Sequence, residues 1–400
     1  MNFGTLGTGF GGMGRGGAGA ADTPTAEFEF SLGLMDPRIT YTHTNSNRWG
    51  FNSSGLLVNF AATVPNFDYG AMGGGSLRGI RLDTTTTMPL LQNRDFSNAA
   101  WTKTNVTAAK DAVGLDGSAN SCSTLTATSN GGKVTQSVTL SSALRCFYVY
   151  MKRKTGTGAV SLTADDGSTS TDITSQINSS TFTLVKISQT LANPVFGVIF
   201  ATSGDEVIVD CASIDVSCGN IPTTPIITAG SSVQRVRDDL TITSTNFTDW
   251  FNATEGTFVA EFILDYASDA STNASRILFQ LDDTTQNSRY SVYAASTVAS
   301  NNVYASVFTS TVQQASINFG SKASAGILQK VAFAYAANDC QLAANGSTAA
   351  ADTSVTLPTV TRLVIGGRVG SNEHLTGALK RLQYWNRRRP QAELATITAL

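Results

Sequence analysis

Charged side chains are scarce in this sequence. Asp, Glu, Lys and Arg make up 14% of the 400 residues, and the formal net charge is −2. Binding nucleic acid by phosphate neutralisation, or binding a membrane surface through a polybasic segment, requires a basic excess that this chain lacks. No run approaches the roughly 18 apolar residues that span a bilayer. We therefore expect no nucleic-acid partner and no membrane insertion.

Catalytic motifs are missing as well. The only two histidines, His43 and His374, are far apart in sequence, and no GxSxG or HExxH motif is present, so a triad or a zinc protease site is not predicted. Adjacent carboxylates do occur, but neighbours on a strand point to opposite faces, so such a pair is not by itself a glycosidase pair. We predict that the protein is not an enzyme.

Cysteine is rare, with five residues, no CxxC pair and no zinc-finger spacing. Two candidate disulfides fit the spacing, Cys211 with Cys218 and Cys122 with Cys146. The alternative is that the thiols are reduced and mostly buried, as small apolar side chains are.

The chain begins without the basic region and continuous apolar stretch of a secretory signal peptide. Yet its abundance of Gly, Ser, Thr, Asn and Ala is typical of extracellular or virion β-proteins. We expect a protein made in a host cytoplasm and located in a virion.

Glycine dominates residues 1–22, which we predict to be a flexible arm. Spaced apolar side chains at Phe3, Leu6, Phe10 and Met13 favour a docking arm that orders on a neighbouring subunit. A frayed terminus is the alternative.

The remainder of the sequence predicts all-β structure. Residues 23–93 alternate in short segments and are predicted to be a β-rich attachment region. Residues 94–220 carry strand patterns separated by Gly, Asn, Ser and Asp, which indicates two stacked antiparallel sheets. A Pro- and Thr-rich linker occupies 221–236, and a second sandwich, ending in a short helix after Pro390, occupies 237–400.

Several motifs resemble proteins of tailed bacteriophages and prophages. They are Asp36–Tyr41, Ser54–Leu57, Val64–Tyr69 and the run Leu90–Asn105. In that family the last motif opens a jelly roll similar to carbohydrate-binding modules. The C-terminal part resembles a concanavalin A-like, laminin-G-type domain, with Gly377–Asn386 as its closing strand. The sequence departs from the family pattern at Thr87–Leu91 and at Arg389–Pro390.

The resemblance implies tandem sandwiches, a jelly roll followed by a concanavalin A-like domain, in a virion appendage such as a tail fibre, head spike or collar protein. It implies a homotrimer that contacts other virion proteins through its N-terminal arm and host-surface polysaccharide through its sandwiches. Two alternatives remain: a purely structural component that bridges subunits, and a polysaccharide depolymerase or glycosidase.

Candidate sugar-binding residues are aromatic side chains beside amides, because a ring can stack on a pyranose while polar groups fix its hydroxyls. For each tryptophan the alternative is burial in a core. The candidates are Trp101 with Asn98 and Asn105, Trp250 with Asn252, and Tyr290.

Calcium is the one candidate cofactor, because carboxylates near turns supply the oxygen ligands that it prefers. Solvated loop acids are the alternative. The candidate ligands are Asp165, Asp166, Asp172, Asp282 and Asp283.

Overall fold

The computed structural model describes residues 23–45, 47–70, 74–216, 222–265, 275–295, 302–321, 323–371 and 373–400. The predicted arm at residues 1–22 and Cys218 lie outside these ranges. The part of the chain that is described is almost entirely β-structure, as the sequence predicts.

The strands, in chain order, are β1 (Ala26–Glu29), β2 (Thr40–Thr42), β3 (Trp49–Phe51), β4 (Leu57–Asn59), β5 (Phe67–Asp68), β6 (Gly79–Leu82), β7 (Thr86–Met88), β8 (Thr102–Thr104), β9 (Val106–Ala112), β10 (Cys122–Ala127), β11 (Gly132–Ser137), β12 (Ala143–Thr155), β13 (Val160–Thr163), β14 (Thr171–Asp172), β15 (Thr183–Leu191), β16 (Val195–Phe200), β17 (Glu206–Asp215), β18 (Val233–Arg235), β19 (Asp239–Thr243), β20 (Glu255–Leu264), β21 (Arg276–Asp282), β22 (Arg289–Ala294), β23 (Asn302–Thr309), β24 (Val312–Ser321), β25 (Leu328–Ala336), β26 (Asp339–Ala344), β27 (Ser347–Thr348), β28 (Arg362–Ile365) and β29 (Gly377–Trp385). The helices are α1 (Thr245–Thr248) and α2 (Gln391–Ile397), with a 3-10 turn at Thr174–Gln176.

The jelly roll consists of two five-stranded sheets, ordered β15-β12-β17-β10-β9 and β14-β13-β16-β11-β8. Its strands alternate apolar and polar residues, which places one face of each sheet in a shared core. Val149, Val198 and Val209 are fully buried there. Every buried member of this core lies between residues 88 and 226. The module therefore has a hydrophobic core of its own.

The second sandwich consists of an eight-stranded sheet and a seven-stranded sheet. The seven-stranded sheet has the order β2-β19-β28-β21-β22-β23-β24. Phe258 and Phe262 from one sheet and Phe279 and Leu281 from the other are buried in the core between them. The predicted strand at Gly377–Asn386 is confirmed as β29, which lies inside the eight-stranded sheet rather than at its edge.

Residues 23–93 do not form the separate attachment region that the sequence predicts. One edge of β29 pairs with β20, and its other edge is covered first by β6 and then by β1. Gly79 makes this possible, because a Cβ atom there would lie 2.1 Å from the Leu379 carbonyl oxygen. Strand β2 extends the seven-stranded sheet through β19. The N-terminal segment therefore completes both sheets of the C-terminal sandwich.

The same segment also contacts the jelly roll. Strands β3 and β4 form a hairpin around the Asn52–Gly55 turn, as predicted. Phe51 and Leu57 of this hairpin pack against Leu115 and Tyr150 of the jelly roll. The jelly roll is thus inserted into the second sandwich, and it enters and leaves through the paired strands β7 and β18.

A buried polar network lies at this junction. Asp83 is 1% exposed, and its Oδ2 atom accepts a hydrogen bond of 2.8 Å from the Thr224 hydroxyl. Burial alone would raise the pKa of Asp83, but Arg235 and Arg81 outweigh it and hold the pKa at about 2. Asp238, 3.0 Å from the Arg48 Nε atom, is buried beside it. These ion pairs connect the N-terminal segment, the insertion and the C-terminal sandwich.

The four described cysteines are buried and no disulfide joins any two of them, so the candidate disulfide between Cys122 and Cys146 is wrong. Each side chain belongs to a strand that packs inward, where a small apolar residue fits. The other candidate bridge, from Cys211 to Cys218, involves a residue outside the described ranges. Burial raises the pKa of the Cys122 thiol to about 12, which keeps it protonated.

Candidate functional site

A band of polar and aromatic side chains lies on the outward side of the seven-stranded sheet. On β22 the residues Arg289, Ser291 and Tyr293 alternate with the buried Tyr290 and Val292. Because successive side chains on a strand point to opposite faces, the first three share the outer face. Strand β23 repeats the pattern with Tyr304, Ser306 and Phe308 facing outward.

The register of β22 and β23 places their outward side chains directly opposite each other. Arg289 is opposite Phe308, Ser291 is opposite Ser306, and Tyr293 is opposite Tyr304. The tyrosine rings are stacked, with centroids 5.6 Å apart and planes inclined by 10°. Both tyrosines are partly exposed. A pair of this kind presents a flat apolar surface beside phenolic hydroxyl groups.

The neighbouring strand β21 supplies a fixed polar floor. The Gln280 side chain is fully buried, and its Oε1 atom accepts hydrogen bonds from Ser291 Oγ at 2.8 Å and from Arg368 Nε at 3.0 Å. Its Nε2 atom donates to Asp282 and to Gln286, each at 2.7 Å. Since every position on this amide is used, the groups around it are held in place.

Arg368 and Glu373 reach over this floor from the loop between β28 and β29. Their side chains form an ion pair and are 22% and 26% exposed. We call the surface formed by the outward residues of β21–β23 together with this ion pair the polar face. Its members are Gln280, Asp282, Arg289, Ser291, Tyr293, Tyr304, Ser306, Phe308, Arg368 and Glu373.

The electrostatics of the polar face follow from partial burial. Burial raises the pKa of Tyr293, which keeps its hydroxyl protonated and able to donate. Burial, with the nearby Arg368 guanidinium, lowers the pKa of Arg289, although an arginine stays charged throughout the physiological range. The face therefore offers aromatic rings, neutral hydroxyl donors and a cation, which together suit a polyhydroxylated ligand.

The predicted sugar-binding residues of the jelly roll lie elsewhere. Trp101 is 1% exposed and stacks on Phe96 with ring centroids 4.0 Å apart, while its indole N–H donates to the Gln92 carbonyl. The prediction that Trp101 binds a sugar is therefore wrong, because the ring is buried and cannot stack on a ligand. The Asn98 side chain accepts the Ala100 N–H in a turn, and Asn105 is an exposed residue with positive φ between β8 and β9.

The other predicted group lies in the core of the second sandwich. Trp250 is 8% exposed and packs edge-on against Phe28 and Phe247. Tyr290 is fully buried, so neither ring can stack on a sugar. The side chain of Asn252 is used locally, since it donates to the Asn386 carbonyl and accepts from Thr254. Tyr290 is instead the inward neighbour of the polar face.

The candidate calcium ligands are used in local contacts. Asp165 accepts hydrogen bonds from Thr169 and Thr163, which outweigh burial and hold its pKa at about 2. Asp166 pairs with Lys133 at 2.9 Å, and Asp172 accepts the Thr174 N–H.

The second set of candidate ligands lies on the other sandwich. Asp282 is fully buried, and its Oδ1 atom lies 2.5 Å from the Arg362 Nε atom. Asp283 accepts hydrogen bonds from Thr285 and Ser288 within its turn. Among the described residues no three or more His, Cys, Asp or Glu side chains come together in a group that could hold a metal ion.

In the ranges that the structure describes, no helix is long and apolar enough to cross a membrane.

The sequence does contain a signal for the polar face. The segments Arg289-Tyr-Ser-Val-Tyr293 and Tyr304-Ala-Ser-Val-Phe308 share alternation with a central serine. Such a pair of matching segments predicts two neighbouring strands of one half-buried sheet. The position of Arg368 beside Gln280 depends on a contact between residues 88 positions apart, which the local pattern does not contain.

The comparisons with known proteins agree with this fold. A family model described as the concanavalin A-like lectin/glucanases superfamily, of the laminin-G type, matches residues 241–395. A search among curated proteins found no match to the sequence.

Solved structures similar to parts of the chain include a carbohydrate-binding module of a Ruminococcus gnavus sialidase bound to α2,3-sialyllactose. It is 16% identical, with a TM-score of 0.31, over 37% of this chain and 84% of that one. A pentraxin of Limulus polyphemus is 13% identical with a TM-score of 0.28, over 37% and 70%. The LG4-5 domains of mouse laminin α1 are 11% identical with a TM-score of 0.24, over 65% and 85%.

Identities and scores this low say nothing about a ligand. The family match, by contrast, coincides with the sandwich that carries the polar face. It begins at β19, and so it leaves out the four N-terminal strands β1, β2, β5 and β6 that complete the two sheets. Residues 241–395 therefore match a concanavalin A-like family model of the laminin-G type, and they form most of the second β-sandwich.

Proposed function

We propose that this protein binds glycans through the polar face. The observation that carries the proposal is the stacked pair Tyr293 and Tyr304, partly exposed above a buried floor of serine and glutamine. The rings give a flat surface for a sugar, and the adjacent hydroxyl and guanidinium groups give hydrogen bonds that fix its orientation. A single face of this size binds weakly, so affinity depends on several copies.

The motifs near the N-terminus support a finer proposal for where this binding takes place. The protein is a non-enzymatic component of a phage virion, a fibre, spike or collar-type appendage, and it attaches the particle to host-surface polysaccharide. It is a homotrimer, and residues 1–22 contact other virion proteins. The support for this part is the sequence resemblance over Asp36–Tyr41 and Leu90–Asn105 alone.

The test is a glycan array and a host-cell binding assay with the full-length chain. We expect saturable binding that falls roughly five- to tenfold in Tyr293→Ala and Tyr304→Ala, since aromatic stacking of this kind contributes about 1–1.4 kcal/mol. Tyr69→Ala is the matched control, because Tyr69 is also partly exposed but lies outside the polar face.

Absence of binding to any glycan would overturn the proposal and favour the structural alternative, in which the sandwiches only bridge subunits. Shortening of the polysaccharide during incubation would favour a depolymerase instead. The Asp282 carboxylate is a poor candidate for that reaction, because Arg362 and Gln280 already occupy it.

A further inference from the structure

We infer that the polar face selects acidic saccharides, and that Arg289 binds the carboxylate of the sugar. This inference rests on the proposed glycan binding and adds the chemical class of the ligand. It starts from the charges of the face. The polar face contains two guanidinium groups, those of Arg289 and Arg368, and two carboxylates, and the guanidinium group of Arg362 lies beside one of these carboxylates.

The two carboxylates are already paired. Asp282 pairs with Arg362, and Glu373 pairs with Arg368. Within the described ranges Arg289 has no carboxylate oxygen within ion-pair distance. The remaining positive charge of the face is therefore on one residue.

Arg289 is held in place without being neutralised. Its guanidinium carbon lies 3.8 Å from the centroid of the Phe308 ring, and its Nη1 atom donates to the Gln286 carbonyl. Its Nε atom is buried and has no hydrogen-bond partner among the described residues. A buried donor without a partner is costly, so an acceptor supplied by a ligand is favoured here.

The chemistry of the group favours a carboxylate. A guanidinium group presents several donors in a rigid plane, which matches the two oxygens of a carboxylate. Partial burial of the Arg289 guanidinium group weakens the competition from water. The Phe308 ring keeps the guanidinium plane from turning into the solvent.

The distance between Arg289 and Tyr293 along β22 indicates the size of the ligand. Arg289 and Tyr293 are four residues apart on one face of β22, which corresponds to about 13 Å. A sugar ring on the tyrosine pair and a carboxylate at Arg289 therefore belong to different units of one chain. The polar face takes an acidic oligosaccharide rather than a single sugar.

The experiment compares charged probes with neutral counterparts of the same skeleton. The probes are galacturonate oligosaccharides against their methyl esters, and sialyllactose against lactose, titrated into the full-length protein at low salt. We expect at least one acidic probe to bind about tenfold more tightly than its neutral counterpart. Arg289→Gln is expected to remove that advantage, so that the acidic probe binds no more tightly to the variant than its neutral counterpart does.

Arg38→Gln is the matched control. Arg38 also lies over an aromatic ring, that of Phe28, but it is paired with Asp36 and lies outside the polar face. It is expected to keep the preference for acid. Melting temperatures of both variants show that the fold is retained.

Two results would overturn the inference. One is that the wild type binds the acidic probes and their neutral counterparts equally well, which would contradict the selectivity but not the glycan binding. The other is a preference for acid that survives Arg289→Gln. Failure of every charged and neutral probe to bind, together with an empty glycan array, would instead remove the proposed function itself.

Discussion

Phe28 is the register partner of Leu382, so a strand near the start of the chain pairs with the last strand of the C-terminal sandwich. Strand β6 covers the remaining part of the same edge. Strand β29 therefore has partners on both sides only when the N-terminal segment is present. An uncovered edge of this length is a site for aggregation.

A fragment of residues 237–400 is accordingly expected to aggregate or to melt without cooperativity, although it contains the whole family match. The fragment 23–400 retains all four completing strands, and it is expected to melt within a few degrees of the full chain. Size-exclusion chromatography and thermal melting of the two fragments check this. A monomeric 237–400 fragment with a sharp transition would contradict the role assigned to β1 and β6.

The inserted jelly roll is expected to fold alone. Its core contains no buried residue from outside 88–226, and the paired strands β7 and β18 bring its two ends together. We expect a fragment of residues 86–235 to show a cooperative melt. In the full chain, Leu57→Ala removes a contact with Leu115 and is expected to lower stability by about 2–5 kcal/mol. An unfolded 86–235 fragment would show that the insertion depends on its host.

Asp83→Asn is expected to destabilise the junction by about 3–5 kcal/mol, because it leaves the buried guanidinium groups of Arg81 and Arg235 without this countercharge. Asp36→Asn is the control. It breaks a partly exposed pair with Arg38 and is expected to cost about 0–1 kcal/mol. Urea denaturation at neutral pH measures both. Similar losses in the two variants would contradict the account of the junction.

The low pKa of the Asp83 carboxyl group predicts that the free energy of unfolding depends on pH. Its pKa is about 2 in the folded protein, below the roughly 3.9 of an unfolded aspartate. The stabilisation is therefore fully present above about pH 4 and is lost as the pH falls through the folded pKa. Between pH 4 and 2 the free energy of unfolding should fall more steeply in the wild type than in Asp83→Asn. Parallel curves would exclude this linkage.

Trp101 and Tyr304 are expected to behave in opposite ways. Trp101→Ala removes a buried ring stacked on Phe96 and is expected to cost about 3–5 kcal/mol of stability without a specific loss of glycan binding. Tyr304→Ala removes a partly exposed ring and is expected to weaken binding with a small change in stability. Paired melting and binding measurements on both variants check this. Loss of binding in folded Trp101→Ala would return the sugar site to the jelly roll.

Much of the fold could be predicted from local pattern. Short runs rich in β-branched and aromatic residues, bounded by turn residues, identified strands such as Val195–Phe200 and Tyr290–Tyr293, and the turn at Asn52–Gly55 identified a hairpin. The terminal helix was predicted too, although Pro390 is its N-cap residue rather than part of its first turn. These features depend on neighbouring residues, whose side chains determine backbone preference and the face that is buried.

The candidate site could not be predicted in the same way. Trp101, Trp250 and Tyr290 are aromatic side chains beside polar neighbours, as Tyr293 and Tyr304 are, but only tertiary packing determines which rings are buried. Tyr290 and Tyr293 differ in this respect because an odd spacing along a strand places them on opposite faces. Which of the two faces meets the other sheet depends on the whole sandwich.

The sequence by itself determined that the chain is all-β, that it contains two sandwiches and that it has few groups for catalysis. Only the tertiary structure decided that one sandwich is inserted into the other, because strand pairing between Ala26–Glu29 and residues 381–384 leaves no mark on local composition. It also decided that, within the described part of the chain, Arg289 has no carboxylate partner while Arg362 and Arg368 are paired. Such pairing depends on distances between strands and loops far apart in sequence, which are set when the core packs.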